Sequence, residues 1–185
     1  FYESIDQLMG ALPKTIEQQN DYGVFVGVCP RSQHDGKKTS IKQVYCLWID
    51  LDGKDFDGGK EEAWRRLSEF PLRPTLIIDS GNGFHAYWLL EIPTPIQSKG
   101  DITRIEGFNR RLVGLLNGDP QSAELARVLR LPGTWNLKEP SHPLPARICE
   151  CEPERRYSLT DFDWLPETEP ERPLVNGKAN GSSHI

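Results

Sequence analysis

Thr75 to Glu91 reads TLIIDSGNGFHAYWLLE, two apolar, β-prone runs on either side of Gly81-Asn82-Gly83. Gly-Asn-Gly is tight-turn chemistry and the flanking runs have strand length, so the segment predicts a β-hairpin with strands over 74–79 and 84–91. Such a hairpin is antiparallel, which breaks a strict β-α-β rhythm. Working outward, helices are predicted over 61–70 and over 101–116, the second with Ile105, Phe108, Leu112, Leu115 and Leu116 on its apolar side. Strands are predicted over 23–29, over 44–52, near 128–131 and near 146–151, and residues 30–40 (PRSQHDGKKTS) read as a loop. Ser4 to Gln19 reads as a helix N-capped by Ser4, with Pro13 ending or kinking it. Helices and strands interleave irregularly, without internal repeat. The expected fold class is therefore α+β rather than doubly wound.

The 185 residues suffice for one sizeable domain, or one with two small lobes. No apolar run approaches the ~18 residues of a membrane helix, and no signal-peptide pattern opens the chain. It begins at Phe1, and we expect a piece of a longer protein. Cys29, Cys46, Cys149 and Cys151 form no CxxC pair, so reduced thiols of a cytoplasmic protein are expected in preference to a zinc knuckle with His142. From residue 166 the composition turns to Pro, Glu, Gly, Asn and Ser, which marks a linker or disordered tail.

The net charge of −5 argues at first against a nucleic-acid partner. Residues 150–185 carry four basic against eight acidic groups, however, which leaves the remainder near neutral. Between 104 and 138 the balance reverses, with Arg104, Arg110, Arg111, Arg127, Arg130 and Lys138 against Glu106, Asp119 and Glu124. Such a stripe suits phosphate binding, although a solvated helix face has the same composition.

Trp48-Ile49-Asp50-Leu51-Asp52-Gly53 sets two carboxylates one residue apart at the end of a predicted strand. Alternation sends Tyr45, Leu47, Ile49 and Leu51 toward a core and Cys46, Trp48, Asp50 and Asp52 to the other face. Two carboxylates so close repel unless a cation neutralises them, and a hard divalent ion suits oxygen ligands. A solvated Asp-Leu-Asp-Gly turn, or the Asp-x-Asp of a nucleotide-sugar transferase, uses the same residues. In the predicted hairpin, the amides of Gly81–Gly83, the Ser80 hydroxyl and His85 are candidates for holding phosphate oxygens, against the plain reading of an ordinary turn. Asp119 to Lys138 then gathers a third acid, Arg127, Arg130 and a Pro132-Gly133 turn, followed by alternating Thr134, Asn136 and Lys138.

Together these segments resemble the archaeo-eukaryotic primase (AEP) superfamily, in particular primase-polymerase (PrimPol) catalytic domains of phages, plasmids and mobile elements. Asp50 and Asp52 match its Asp-x-Asp motif, and Ser80 to His85 match a Ser-Gly-x-Gly-x-His element. Asp119 and Arg127 to Lys138 match an acid followed by Arg-x-x-Arg-Leu-Pro-Gly-Thr-x-Asn-x-Lys. Phe25 to Arg31 (FVGVCPR) is similar to the segment before the first motif, and order and spacing agree from about Gly23 to Lys138.

The resemblance implies an RRM-like mixed sheet packed with a smaller α/β unit, with residues 1–165 forming the catalytic domain and 166–185 the tail. It implies template-dependent nucleotidyl transfer from dNTPs or NTPs, with Asp50, Asp52 and Asp119 holding two Mg²⁺ or Mn²⁺ ions, and Glu124 as the fallback for the third acid. Ser80, Gly81, Gly83 and His85 would bind the triphosphate, and Arg130 and Lys138 its phosphates. Arg31 and Lys37 are weaker phosphate candidates, and Trp48 and Tyr87 candidates for stacking. Implied partners are a single-stranded DNA template, a primer strand and a helicase or accessory domain outside the fragment, with no membrane. A non-catalytic nucleic-acid-binding module and a template-independent terminal transferase are the competing readings.

Overall fold

A computed structural model of the chain describes residues 5–17 and 22–167. Its elements are α1 (Ile5–Glu17), β1 (Phe25–Gly27), β2 (Gln43–Asp52), α2 (Gly59–Glu69), β3 (Leu76–Asp79), β4 (Gly83–Pro95), α3 (Lys99–Leu116), β5 (Val128–Arg130), β6 (Trp135–Asn136), β7 (Leu144–Pro145) and β8 (Arg147–Cys151). The hairpin forms as its turn residues dictate, and β4 pairs antiparallel with both β3 and β2. Strands β2 and β3 thus run in the same direction with β4 between them, joined by α2. This is a split β-α-β unit, completed by β8 on the free edge of β3 in the order β2-β4-β3-β8. The α+β, RRM-like expectation holds. Two further antiparallel ribbons, β1-β5 and β6-β7, lie outside this sheet.

Burial on β2 departs from simple alternation. Leu47, Ile49 and Leu51 are fully buried, and across the sheet Phe84 brings its ring 5.4 Å from Trp64 of α2. The opposite face is covered too. Trp48 is fully buried and its indole N–H donates to the Ser122 carbonyl at 2.7 Å, and Cys46 is buried as well. Each such buried side chain stabilises the fold by about 1.5–3 kcal/mol relative to exposure. Tyr45, expected inside, is exposed because a register shift between Val44 and Cys46 breaks the alternation. The double cover gives way at Asp50 and Asp52, both partly exposed, where the strand emerges into a cleft.

Helix α3 starts in a capping box, with the Ser98 hydroxyl accepting from the Asp101 N–H and the Asp101 carboxylate accepting from the Ser98 N–H. Helix α1 continues through Pro13 to Glu17, so the proline does not end it. Ser4 and residues 18 and 19 of that predicted helix lie outside the described residues, as does the tail from residue 168. All four cysteines are free; Cys29 and Cys46 are buried, and burial pushes the Cys29 thiol up to about 12. Among the described residues no helix is long and apolar enough to cross a membrane.

Candidate functional site

The end of β2, the hairpin turn, β5 and the segments 119–121 and 136–138 enclose a cavity of about 750 Å³. Asp50, Asp52, Asp119, Ser80, Gly83, His85, Arg130 and Lys138 all line it. Gly81 and Glu124 do not.

Asp119 reaches Asp50 through the way α3 ends. Asn117 adopts the left-handed conformation (φ 59°, ψ 47°) and its Nδ2 donates to the Asp55 carbonyl at 2.7 Å. The chain then passes so close to β2 that a Cβ on Gly118 would lie 2.6 Å from Ile49 Cδ1 and 2.9 Å from the Asp50 carbonyl oxygen. The Asp119 N–H donates to that same carbonyl at 2.8 Å. Gly118→Ala must push residue 119 off β2, and is expected to cost about 1–3 kcal/mol by overpacking, read from a denaturant melt, together with a loss of activity. Glu124, the alternative third acid, has a largely exposed side chain 3.5 Å from Lys38.

Cationic side chains keep the acids together. Arg127 Nη2 donates to Asp50 Oδ2 at 3.0 Å and to Asp119 Oδ2 at 2.9 Å. Asp52 accepts from Lys54 Nζ at 2.8 Å and from Lys138 Nζ at 3.4 Å. Burial pulls the Asp52 pKa up, but the Lys54 hydrogen bonds and the Lys138 charge outweigh it and hold the carboxyl below its ordinary value. Lys54, Lys138 and Arg127 thus supply positive charge to the acids from within the chain. Among the described residues no three His, Cys, Asp or Glu side chains stand close enough together to hold a metal ion. The donor set nonetheless suits a hard divalent cation: three carboxylates face one cleft, and two of them reach a single nitrogen.

His85, opposite Asp50 in the β2–β4 register, is buried with Nε2 3.6 Å from Asp50 Oδ1. Burial pushes its pKa below the ordinary 6.5; the Asp50 charge opposes this, and Arg130 and Arg127 reinforce it. The imidazole is neutral at neutral pH, and its Nδ1 is buried without a hydrogen-bond partner.

The hairpin turn is not the open amide cradle expected. Gly81 has φ 98° and its N–H donates to Asp79 Oδ1 at 2.8 Å, so that amide is taken. Lys60 Nζ donates to the same carboxylate oxygen and to the Gly81 carbonyl. A Cβ on Gly81 would meet Leu144 Cβ at 2.9 Å, because the β6-β7 ribbon lies against the turn. Asn136 Nδ2 donates to the Ser80 carbonyl at 2.7 Å, while its Oδ1 accepts from the Lys138 N–H, which fixes Lys138 above Asp52.

Solved structures share this architecture. The AEP domain of the primase-polymerase (PrimPol) of cyanophage S-2L superposes with a TM-score of 0.62 at 19% identity, over 85% of this chain and 76% of that one. Primase RepB′ gives a TM-score of 0.55 at 17% identity over 88% of this chain and 48% of its own. The catalytic domain of primase RepB′ in complex with initiator DNA gives 0.53 at 19%, over 88% and 72%. The chain has the AEP primase-polymerase fold. No family model matches it, and no curated protein matches it in sequence.

On this AEP fold the basic stripe divides. Arg104 and Arg111 stack against Phe108 on α3 and Arg110 pairs with Glu106, leaving Arg127, Arg130 and Lys138 to face the cleft. Arg31 Nη2 donates to the Ala126 carbonyl at 2.7 Å, a structural role, and neither it nor Lys37 lines the cavity. Trp48 and Tyr87 are buried away from it. The aromatic rings at the cleft are Tyr22 and Phe25, both largely exposed, with the Arg130 guanidinium 4.7 Å from the centre of the Phe25 ring. Sequence reasoning missed them as site residues, along with Lys54 and Gln121. A three-residue strand shows no periodicity to mark Phe25, which begins β1 and stands opposite Arg130 in the pairing of β1 with β5.

Proposed function

We propose that the chain is a primase-polymerase: a template-directed nucleotidyl transferase in which the 3′-hydroxyl of a primer strand attacks the α-phosphorus of a dNTP or NTP and pyrophosphate leaves. The observation that carries this reading is the convergence of Asp50, Asp52 and Asp119 with His85, Arg130 and Lys138 on one cleft in an AEP fold. Asp50, Asp52 and Asp119 would hold two divalent cations, Mg²⁺ or Mn²⁺. Bound there, such ions acidify the attacking hydroxyl and neutralise charge on the leaving group.

Everything else is positioning, which dominates phosphoryl chemistry. Ser80 and neutral His85 line the cleft and hydrogen-bond the triphosphate. Arg130 and Lys138 meet the phosphates as fixed cations from β5 and the end of β6. Tyr22 and Phe25 offer ring faces to a base, since stacking is sequence-tolerant and suits a template reader. Phe25→Ala is expected to cost about 1–3 kcal/mol in binding of single-stranded DNA or nucleotide, measured by fluorescence anisotropy. The RepB′ catalytic domain in complex with initiator DNA supports DNA as a partner, and a single-stranded template is the form the proposed reaction needs. A helicase or accessory domain would be a partner outside these residues.

The reading is tested by incubating the chain with labelled dNTPs and Mg²⁺ or Mn²⁺ on primed template, on unprimed template and without template. Extension only with template supports it; extension without template makes the chain a terminal transferase, and DNA binding with no incorporation makes it a binding module.

A further inference from the structure

The reaction proposed above gives no role to Arg127, although it lines the cleft and pairs with two of its acids. One of its nitrogens spans Asp50 and Asp119. Its backbone is anchored from several sides: the Arg127 N–H donates to the Glu124 carbonyl, the Arg127 carbonyl accepts from the Val28 N–H, and Arg31 holds the Ala126 carbonyl. Next to it, the Leu125 N–H donates to the buried Glu106 carboxylate at 2.9 Å. The side chain, by contrast, pairs with the two acids, and its Nε is buried with no hydrogen-bond partner among the described residues. A buried donor left unmade is costly, so this resting place is not a fully satisfied one for the guanidinium.

A divalent cation seated between Asp50 and Asp119 would meet that guanidinium at contact distance, and two cations that close repel strongly in a partly buried site. The same cleft holds the groups that would receive a triphosphate. We propose that Arg127 is the resident counter-ion of the Asp50–Asp119 pair, which a divalent cation must displace, and that the freed guanidinium then meets the nucleotide's phosphates. The inference rests on the primase-polymerase reading of the cleft. Its consequence is that cation and triphosphate bind cooperatively: either alone finds its partner occupied, and together they exchange one set of ion pairs for another.

The test is calorimetric titration of MnCl₂ alone into the whole chain, as wild type, Arg127→Gln and Arg127→Lys, with circular dichroism confirming that each is folded. Arg127→Gln is expected to bind Mn²⁺ about tenfold or more tightly than wild type, because a hydrogen-bonded charge no longer competes. Arg127→Lys is expected between the two, since a flexible, strongly hydrated ammonium competes less well than a planar guanidinium. It keeps the prediction measurable if the glutamine variant does not fold. A second titration measures a non-hydrolysable deoxynucleoside triphosphate with and without Mn²⁺; the enhancement by Mn²⁺ should be several-fold smaller in Arg127→Gln than in wild type. Mn²⁺ affinities that are equal in wild type and variants, or weaker in the variants, overturn the inference and leave the reading of the cleft standing. Mn²⁺ binding by none of the proteins, with or without triphosphate, overturns both.

Discussion

Asp50→Asn is expected to lower nucleotide incorporation by on the order of 10³-fold in single-turnover primer extension, about 4 kcal/mol of transition-state stabilisation. The replacement is nearly isosteric, so the effect reports charge rather than shape. Asp50 connects several of the cleft's other groups: it accepts from Arg127, faces His85 across the β2–β4 pair, and through its carbonyl holds the Asp119 amide. The carbonyl bond is independent of the side chain, so the backbone arrangement survives and Arg127 keeps Asp119 as a partner. Stability should therefore change far less than activity; a loss of no more than about 1 kcal/mol in the unfolding free energy from a denaturant melt is expected for a partly exposed ion pair. Incorporation within tenfold of wild type would remove Asp50 from the chemistry.

The second large effect separates two acids five residues apart. Asp119→Asn is expected to cost incorporation on the order of 10³-fold, whereas Glu124→Gln should leave it within about threefold. The reason is placement. Asp119 is stapled to β2 and shares Arg127 with Asp50, while Glu124 lies outside the cleft beside Lys38. An exposed pair of the Lys38–Glu124 type contributes about 0–1 kcal/mol, and breaking it touches nothing in the cavity. Both variants are measured in the same extension assay, with melts to show that they are folded. The opposite order of effects would move the third acid to Glu124.

The architecture was largely legible before any coordinates. Gly81-Asn82-Gly83 announces the hairpin, and β2, α2 and α3 fall within two residues of their predicted bounds, because alternation and helical spacing are local signals. The hidden parts are those where one segment meets another far away in the chain. The β6-β7 ribbon has two residues per strand, too few for any period, yet it locks the hairpin turn through Asn136 and brings Lys138 to Asp52. The cover over Trp48 comes from Ser122, 74 residues on, which turned an expected outward face into core. The site residues were legible as types, since acids, a histidine and arginines at that spacing suit phosphate chemistry. Their internal partners were not. Nothing in the local sequence says that Asp79 takes the Gly81 amide, or that Arg127 bridges Asp50 and Asp119.

The central claim is that this cleft joins nucleotides under the direction of a template. Its most direct measurement is single-nucleotide incorporation on four primed templates that differ only in the first unpaired base, with each dNTP supplied separately in Mg²⁺ or Mn²⁺. The account predicts that each template selects its complementary nucleotide, and that the selection vanishes with activity in an Asp50→Asn, Asp52→Asn double variant. Incorporation indifferent to the template base, none with any nucleotide, or undiminished incorporation by the double variant would contradict it.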